Sequence, residues 1–290
     1  MLAIADSGST KADWKVINDA GQVLDLSTKG FNPNYHTHEE IVAAMEAQFL
    51  PKVSGESIHK VIFYGAGCWD AGRKSRIANA LRAVFINAEI EVEHDLLAAA
   101  RATCGHQPGI TCILGTGSNS ILYDGEKEVD NVTNLGYLIG DEGSGGHLGK
   151  KLIQAYFYRE MPADLAEKFE KWVPGGKSEI LDNIYGGPSP AVYLASFARF
   201  GSDNRLHPFI QELVESAFDE FLTRHVCKYE GHQTLPVHFV GSVAYYYEPV
   251  LDKVLARLNL TKGILIKKPI HNLARFHLEN GDAARSLTKA

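Results

Sequence analysis

The chain has 290 residues, of which 45% are hydrophobic and 22% are charged, a composition that is typical of compact proteins and excludes disordered and fibrous ones. Its 35 acidic and 29 basic residues give a net charge of -6, and the scattered basic residues exclude a nucleic acid partner. The first predicted strand begins at Leu2, and no apolar run approaches the roughly 18 residues of a membrane span. We therefore expect a cytoplasmic protein of about two domains with no membrane partner.

The first hundred residues alternate strand and helix patterns. They predict strands at 2–6, 12–17 and 22–28, which form a small antiparallel meander with the turn 18–21. In the next segment, Thr37 and Glu40 precede apolar residues with the spacing of a capping box that opens a helix, which we favour over a metal cluster with His36 and His38. A buried strand at 60–67, a helix at 72–85, a strand at 89–95 and a helix at 96–103 follow.

The second half repeats this order of elements. Strands are predicted at 110–114, 119–123 and 128–133, and later at 237–243 and 263–269, with helices at 248–258 and from His271 onward. A mostly helical insertion at 138–235 contains a helix start at Ser189-Pro190 and an apolar stripe from Leu206 to Phe221. The repetition predicts a duplicated α/β fold with domains at 1–108 and 109–274, the first completed by a C-terminal helix at 275–290.

Two strand–turn–strand segments, at 5–14 (ADSGSTKADW) and 114–123 (LGTGSNSILY), have tips made of Gly, Ser and Thr. Such tips expose successive backbone N–H groups that can bind a phosphate. One such tip can equally be a turn selected for its twist, but two at equivalent positions favour a polyphosphate held from both sides of a cleft. Asp6, at the end of the first strand, is placed either to hold hydrated Mg²⁺ or to cap the turn.

These residues resemble a known family. The segments 6–11 and 115–119 resemble the two phosphate motifs of the N-acetylglucosamine kinases within the BadF/BadG/BcrA/BcrD ATPase family, part of the actin, hexokinase and heat-shock chaperone superfamily. The likeness continues through the segments 30–34, 93–95, 136–145 and 240–244, and so spans most of the chain. It implies duplicated ribonuclease H-like (actin-like ATPase) domains with a cleft between them, and an ATP-dependent sugar kinase.

The resemblance also implies roles for single residues. The residues expected to bind ATP are Gly8, Ser9, Thr10, Lys11, Thr116, Gly117, Ser118, Gly241 and Ser242, with Asp6 as the Mg²⁺ ligand. Those expected to bind the sugar are Asn34, Asp95, Thr116, Gly136 and Asp141, with Asp95 as the catalytic base.

Other roles for the polar residues remain open from the residues alone. Asp95 ends a strand at the sheet edge where α/β proteins bind ligands, but it could also cap the helix at 96–103. Asp141 and Glu142 could supply negative charge at a helix N-terminus, and Asn34 could be a turn residue.

The substrate we expect is N-acetylglucosamine, converted to its 6-phosphate, with ATP and Mg²⁺ as cofactors. N-acetylmuramic acid and glucosamine are alternatives, because Leu135 stands where the animal N-acetylglucosamine kinases place a tryptophan. A non-catalytic sugar or ATP sensor and an activator ATPase with an iron–sulfur cluster are further alternatives. The four widely spaced cysteines favour buried thiols, and a kinase of the ROK branch is disfavoured because its zinc signature is missing. A homodimer is the common assembly of such enzymes.

Overall fold

The computed structural model describes residues 1–8 and 10–281, which form two compact units. The N-terminal unit comprises Met1–Gly105 and the segment that begins at Lys268, and the C-terminal unit comprises His106–Lys267. The C-terminal unit ends at Lys267, whereas the sequence predicted its end at residue 274. It ends earlier because Lys268 pairs with Asp13 and the helix that follows packs on the first two strands of the N-terminal unit. Residues 282–290 of the expected C-terminal helix lie outside the described residues.

In the described residues the N-terminal unit has one mixed five-stranded sheet. Its strands are β1 (Leu2–Ser7), β2 (Lys11–Ile17), β3 (Val23–Lys29), β4 (Lys60–Gly65) and β5 (Glu89–His94). The order β3-β2-β1-β4-β5 joins an antiparallel meander to two parallel strands. β1 and β4 are the central strands and carry nearly continuous buried residues, as strands covered on both faces do.

Helices cover this sheet. They are α1 (His38–Gln48), α2 (Ala71–Val84), α3 (Asp95–Thr103) and, from the C-terminal segment, α13 (Ile270–Glu279). The predicted capping box is confirmed, because the Glu40 N–H donates to Thr37 Oγ1 and the Thr37 N–H donates to the Glu40 carboxylate. Asp95 does not cap α3: the cap is His94, whose Nδ1 accepts the N–H of Leu97 at 3.3 Å.

The C-terminal unit repeats the same sheet. Its described strands are β6 (Gly109–Leu114), β7 (Ser118–Tyr123), β8 (Glu128–Asp130), β9 (Pro236–Val240) and β10 (Thr261–Ile266). Their order, β10-β9-β6-β7-β8, again places an antiparallel meander beside two parallel strands, so the predicted duplication is confirmed. The strand expected at 237–243 ends at Val240, because Gly241 has a φ of 128° and begins a helical segment.

The remaining helices belong to the C-terminal unit. Between β8 and β9 lie α4 (Gly136–Ile139), α5 (Gly145–Phe157), α6 (Ala163–Trp172), α7 (Gly176–Tyr185), α8 (Pro190–Ser196), α9 (Ala198–Asp203) and α10 (Pro208–Arg224). After β9 come α11 (Ser242–Tyr246) and α12 (Glu248–Arg257). The stripe of α10 is buried from Ile210 to Phe221, but Leu206 is exposed because it precedes the helix. No described helix is long and apolar enough to cross a membrane.

Candidate active site

Three carboxylates gather around the end of β1 in the N-terminal unit. Asp6 and Asp13 are paired residues on the neighbouring strands β1 and β2. Asp13 accepts ion pairs from Lys11 at 2.8 Å and from Lys268 at 2.6 Å. Burial alone would raise the pKa of Asp13, but these two lysines hold it below its usual range. For Asp6 the balance is reversed: burial, with repulsion from Asp95 and Asp13, raises its pKa to about 7.

Asp95 is the first residue of α3, directly after β5. It is half-buried, and burial raises its pKa to about 6, although the Leu96 N–H donates to its Oδ1 at 3.0 Å and opposes the shift. The carboxylate thus stands at the carboxyl end of a parallel strand, the usual ligand edge of such sheets.

The donor set around Asp6 fits Mg²⁺. Carboxylate oxygens are ligands that Mg²⁺ prefers. The pKa of Asp6 is raised first by burial and then by repulsion from Asp95 and Asp13, and a cation would relieve that repulsion. The described residues contain no cluster of three or more acidic, histidine or cysteine side chains able to hold a metal by themselves. Mg²⁺ in proteins typically binds one or two carboxylates and completes its shell with water and substrate phosphates.

The first hairpin tip rests on the loop after β3. Gly8 donates its N–H to the Lys11 carbonyl at 3.0 Å, and a Cβ on Gly30 would lie only 2.0 Å from the Gly8 carbonyl oxygen. The Ser7 hydroxyl oxygen accepts the Phe31 N–H at 2.9 Å. The tip residues Gly8, Thr10 and Lys11 are exposed, whereas Ser9 lies outside the described residues.

Asn34 is exposed on the same loop and is held by an arginine. Its Oδ1 accepts the Nε–H of Arg73 at 2.9 Å, and Arg73 also pairs with Asp70. The guanidinium lies over the ring of Trp69, 4.2 Å from the ring centre. The Asn34 N–H donates to Asn32 Oδ1 at 2.9 Å, so Asn34 is a turn residue, and its role as a sugar ligand stays a prediction.

The second hairpin tip is braced by the start of α5. The N–H groups of Gly145 and Gly146 donate to the carbonyls of Gly115 at 2.8 Å and of Thr116 at 3.0 Å. Thr116 itself is exposed. Ser118 differs from the expectation: it is buried, its N–H donates to Asp141 at 3.1 Å and its hydroxyl donates to the Glu142 carbonyl at 2.7 Å. Both hydrogen-bond donors of Ser118 are therefore used inside the protein, where they support the tip, and neither can bind a phosphate in this structure.

Asp141 lies directly under this tip. Its carboxylate would be 2.9 Å from a Cβ on Gly117, and burial raises its pKa. The residue has a φ of 59°, a left-handed conformation uncommon outside glycine. Strained backbone of this kind concentrates at ligand sites. Gly136, another expected sugar contact of this unit, has a φ of 74°, and its N–H donates to Asn134 Oδ1 at 2.5 Å.

Glu142 and the start of α5 have structural roles. The N-cap of α5 is Ser144, whose Oγ accepts the His147 N–H at 3.1 Å. Glu142 is buried and pairs with Arg224 and His225, each at 3.1 Å. Burial would raise the pKa of Glu142, but its own backbone N–H and these partners hold it below its usual range.

Gly241 and Ser242 lie where β9 turns into α11. A Cβ on Gly241 would be 2.2 Å from the carbonyl oxygen of Leu114. The start of α11 can therefore lie this close to the end of β6 only because residue 241 is a glycine. Ser242 is exposed. The two expected adenosine contacts thus adjoin the strand that leads into the second hairpin.

Some polar contacts of the site were not expected from the sequence. In a hairpin with a three-residue tip, Asp6 pairs with Asp13. Counting residues outward from the tip would therefore have predicted Asp13 as the neighbour of Asp6. Lys268 and Arg73 carry no such signal, because they reach the site from elements distant along the chain.

The same sheet order in both units, each with a small-residue hairpin tip, defines the class of protein: a duplicated ribonuclease H-like, actin-like ATPase fold of the α/β class. The chain belongs to the BadF/BadG/BcrA/BcrD ATPase family, whose sequence profile matches residues 5–183.

Solved structures agree with this assignment. A candidate N-acetylglucosamine kinase from Porphyromonas gingivalis is 40% identical to this chain and superposes with a TM-score of 0.91. The match covers 97% of this chain and 99% of the Porphyromonas gingivalis chain. A candidate N-acetylglucosamine kinase from Chromobacterium violaceum is 18% identical, with coverages of 95% and 98% and a TM-score of 0.74, and shows likeness of fold.

A curated relative matches a part of the chain. The N-acetylmuramic acid/N-acetylglucosamine kinase of Clostridium acetobutylicum is 30% identical over 158 residues. The match covers 52% of this chain and about half, 51%, of that kinase.

Proposed function

We propose that the protein transfers the γ-phosphoryl group of ATP to the 6-hydroxyl of an amino sugar, with N-acetylglucosamine as the first substrate to test. The observation that carries the proposal is the half-buried Asp95 carboxylate, whose pKa is raised to about 6 by burial beside Asp6. A base with a pKa near the working pH is the most effective in proton transfer. The names of the Porphyromonas gingivalis and Clostridium acetobutylicum relatives support the same reaction class.

The residues of the N-terminal unit would act on the phosphates as follows. The exposed backbone N–H of Thr10 and the ammonium group of Lys11 would donate to phosphate oxygens, whereas the Gly8 N–H is already donated to the Lys11 carbonyl. Asp6 would hold Mg²⁺, which supplies neutralisation of the phosphate charge.

The C-terminal unit would contribute a second set of contacts. The exposed Thr116 hydroxyl and the backbone of Gly117 would donate to the phosphates, and the surface at Gly241 and Ser242 would pack against the adenosine. Ser118 would act indirectly, through the Asp141 carboxylate that it helps to fix.

In the transfer step, Asp95 would accept the proton of the attacking sugar hydroxyl. The new bond joins that oxygen to the γ-phosphorus, and the bond between the γ-phosphorus and the bridging oxygen breaks, which releases ADP. Asn34, Gly136 and Asp141 would bind the remaining sugar hydroxyls. General-base catalysis of this kind contributes about 10²- to 10⁴-fold to the rate.

The decisive experiment measures ADP release from ATP and Mg²⁺ with N-acetylglucosamine, N-acetylmuramic acid, glucosamine, N-acetylmannosamine and glucose. Asp95→Asn should lower sugar-dependent turnover by about 10²- to 10⁴-fold while ATP binding persists. Asp19→Asn, which changes an exposed turn carboxylate of the same unit, is the matched control and should behave as the unmodified protein.

Two results would contradict the proposal. If Asp95→Asn lost ATP affinity and turnover to the same extent, Asp95 would not be the base. If no sugar stimulated ADP release although ATP bound, the protein would be a sensor rather than a kinase.

A further inference from the structure

The Asp13 carboxylate lies between two lysine ammonium groups in the N-terminal unit. Lys11 Nζ is 2.8 Å from Asp13 Oδ1, and Lys268 Nζ is 2.6 Å from Asp13 Oδ2. The Ser27 hydroxyl also donates to Oδ1, at 3.2 Å. The aspartate side chain is 19% exposed, whereas the side chains of Lys11 and Lys268 are 54% and 50% exposed. The lysines therefore reach the carboxylate from solvent, and either of them can leave while the carboxylate stays in place.

The two lysines come from different parts of the fold. Lys11 is the first residue of β2, at the exposed tip of the first hairpin. Lys268 precedes α13 and reaches Asp13 from 255 residues away along the chain. Because α13 packs on β1 and β2, the segment that carries Lys268 is fixed to the strands that carry Asp6 and Asp13.

Lys11 has two partners in the proposed reaction. It pairs with Asp13 in this structure, whereas the proposed function requires its ammonium group to donate to a phosphate oxygen. The hydrogen bond to Asp13 raises the pKa of Lys11, so the group that moves is a charged ammonium. Its departure removes one of the two cations beside Asp13, which lies directly opposite Asp6 on the neighbouring strand.

Lys268 supplies the positive charge that remains. Its pair with Asp13 involves no residue of the hairpin tip, so this pair persists when Lys11 turns to a phosphate. Lys268 also lies close enough to Asp6 to oppose the rise of the pKa of that carboxyl, which burial and the neighbouring aspartates cause. Without Lys268, the departure of Lys11 would leave two neighbouring carboxylates with no lysine beside Asp13, and their charge would oppose the arrival of the phosphates.

We propose that Lys268 is a positioning residue for nucleotide binding, which keeps Asp13 paired and so allows Lys11 to leave Asp13 for the phosphates of ATP. The inference rests on the proposed function, because Lys11 is the phosphate ligand there. Lys268 acts through Asp13 and does not itself contact the nucleotide. Exposed ion pairs are weak, so the expected changes in affinity are about two- to fivefold.

The test measures the dissociation constant of ATP with Mg²⁺ by calorimetry without sugar, at about 0.15 M salt, where distant charges are screened. Lys268→Met should raise this constant by about two- to fivefold. Lys268→Arg keeps the charge and should leave the constant close to that of the unmodified protein. Arg275→Met removes an exposed ion pair with Glu279 in α13 and is the matched control, which should not change the constant.

The kinetic constants add a second measurement. Since the role of Lys268 is complete once ATP is bound, Lys268→Met should raise KM for ATP and leave kcat at saturating ATP nearly unchanged. A general loss of folded protein would instead lower the apparent kcat and leave KM unaltered.

A double-mutant cycle separates positioning from direct contact. In Asp13→Asn no carboxylate holds Lys11, so the addition of Lys268→Met should not raise the dissociation constant of ATP further. In Lys11→Met no lysine leaves Asp13, so Lys268→Met should again have no effect. A rise of equal size in both backgrounds would overturn the proposal, because Lys268 would then act on the phosphates directly. Absence of any rise in the otherwise unmodified protein would overturn it as well.

The proposed function and the role of Lys268 fail in different ways. Absence of sugar-dependent ADP release, with the calorimetric pattern intact, overturns the kinase function and leaves the role of Lys268 standing. Sugar-dependent ADP release with an ATP dissociation constant that Lys268→Met does not change overturns the role of Lys268 alone. Absence of ATP binding overturns both.

Discussion

The substitution Gly241→Ala would place a methyl group against the end of β6. Gly241 has a φ of 128° and a ψ of 162°, a combination that is almost restricted to glycine. An alanine Cβ would lie 2.2 Å from the Leu114 carbonyl oxygen and 2.7 Å from its carbonyl carbon. Both are backbone atoms at the end of a strand paired on both sides, so they cannot rotate away as a side chain would.

The cost has two parts. The backbone conformation costs about 1–3 kcal/mol for a residue with a Cβ, and overlap in a packed region typically costs a further 1–3 kcal/mol. We therefore expect Gly241→Ala to lower the free energy of unfolding by about 2–6 kcal/mol. Gly105→Ala is the matched control, because Gly105 has a φ of 61° with no atom within 4 Å of a Cβ. It should cost about 1–2 kcal/mol.

Urea unfolding followed by circular dichroism measures both variants, and calorimetry measures their affinity for ATP. Gly241→Ala should also weaken ATP binding, because relief of the overlap moves the strand that leads into the Gly115–Gly117 turn. The reasoning is refuted if Gly241→Ala is no less stable than Gly105→Ala, because the close contact with Leu114 would then carry no cost.

Three further predictions concern titration and burial. Nδ1 of His147 and of His238 accepts a backbone N–H at 3.0 and 2.9 Å, and burial lowers the pKa of each to about 4. Histidines of the unfolded chain bind a proton near pH 6.5, whereas these two do so only near pH 4 in the folded protein. The free energy of unfolding should therefore be at its full value above pH 6.5 and should fall towards pH 4, by up to about 3 kcal/mol per histidine. Urea unfolding with no change in this free energy between about pH 6.5 and 4 would contradict the prediction. Glu142→Gln, which removes the charge facing buried His225, should cost about 1–3 kcal/mol in thermal unfolding. Because burial raises the pKa of Cys68 to about 12, iodoacetamide at neutral pH should label this thiol, as read by peptide mass spectrometry, only after unfolding.

Local features of the chain were predictable because few residues decide them. The capping box needs only Thr37 and Glu40 at the right spacing, and the strands of both meanders follow from apolar runs that end in turn residues. The end of β9 was not predictable at this level. The pattern of residues 237–243 predicts one apolar strand, but the strand ends early because Gly241 has a φ of 128° at a place where a Cβ would overlap the Leu114 carbonyl.

The helix cap beside Asp95 shows a similar limit. Aspartate is among the preferred capping residues, so the sequence left open a role for Asp95 as the cap of this helix. In the fold, β5 extends through His94, and α3 begins one residue earlier than expected. The position of the last paired residue of the strand decided which side chain caps the helix.

The sequence by itself determined the duplicated order of elements, the two small-residue hairpins and the identity of Asp6, Asp95 and Asp141 as candidate ligands, because strand periodicity and turn chemistry depend on neighbours along the chain. Only the tertiary structure decided the electrostatic state of these groups. Burial and then repulsion from Asp95 raise the pKa of Asp6, and Lys11 together with Lys268 lowers the pKa of Asp13; Asp95 and Lys268 come from segments far away in sequence. Burial and charge are properties of the folded surroundings, and no local pattern encodes them.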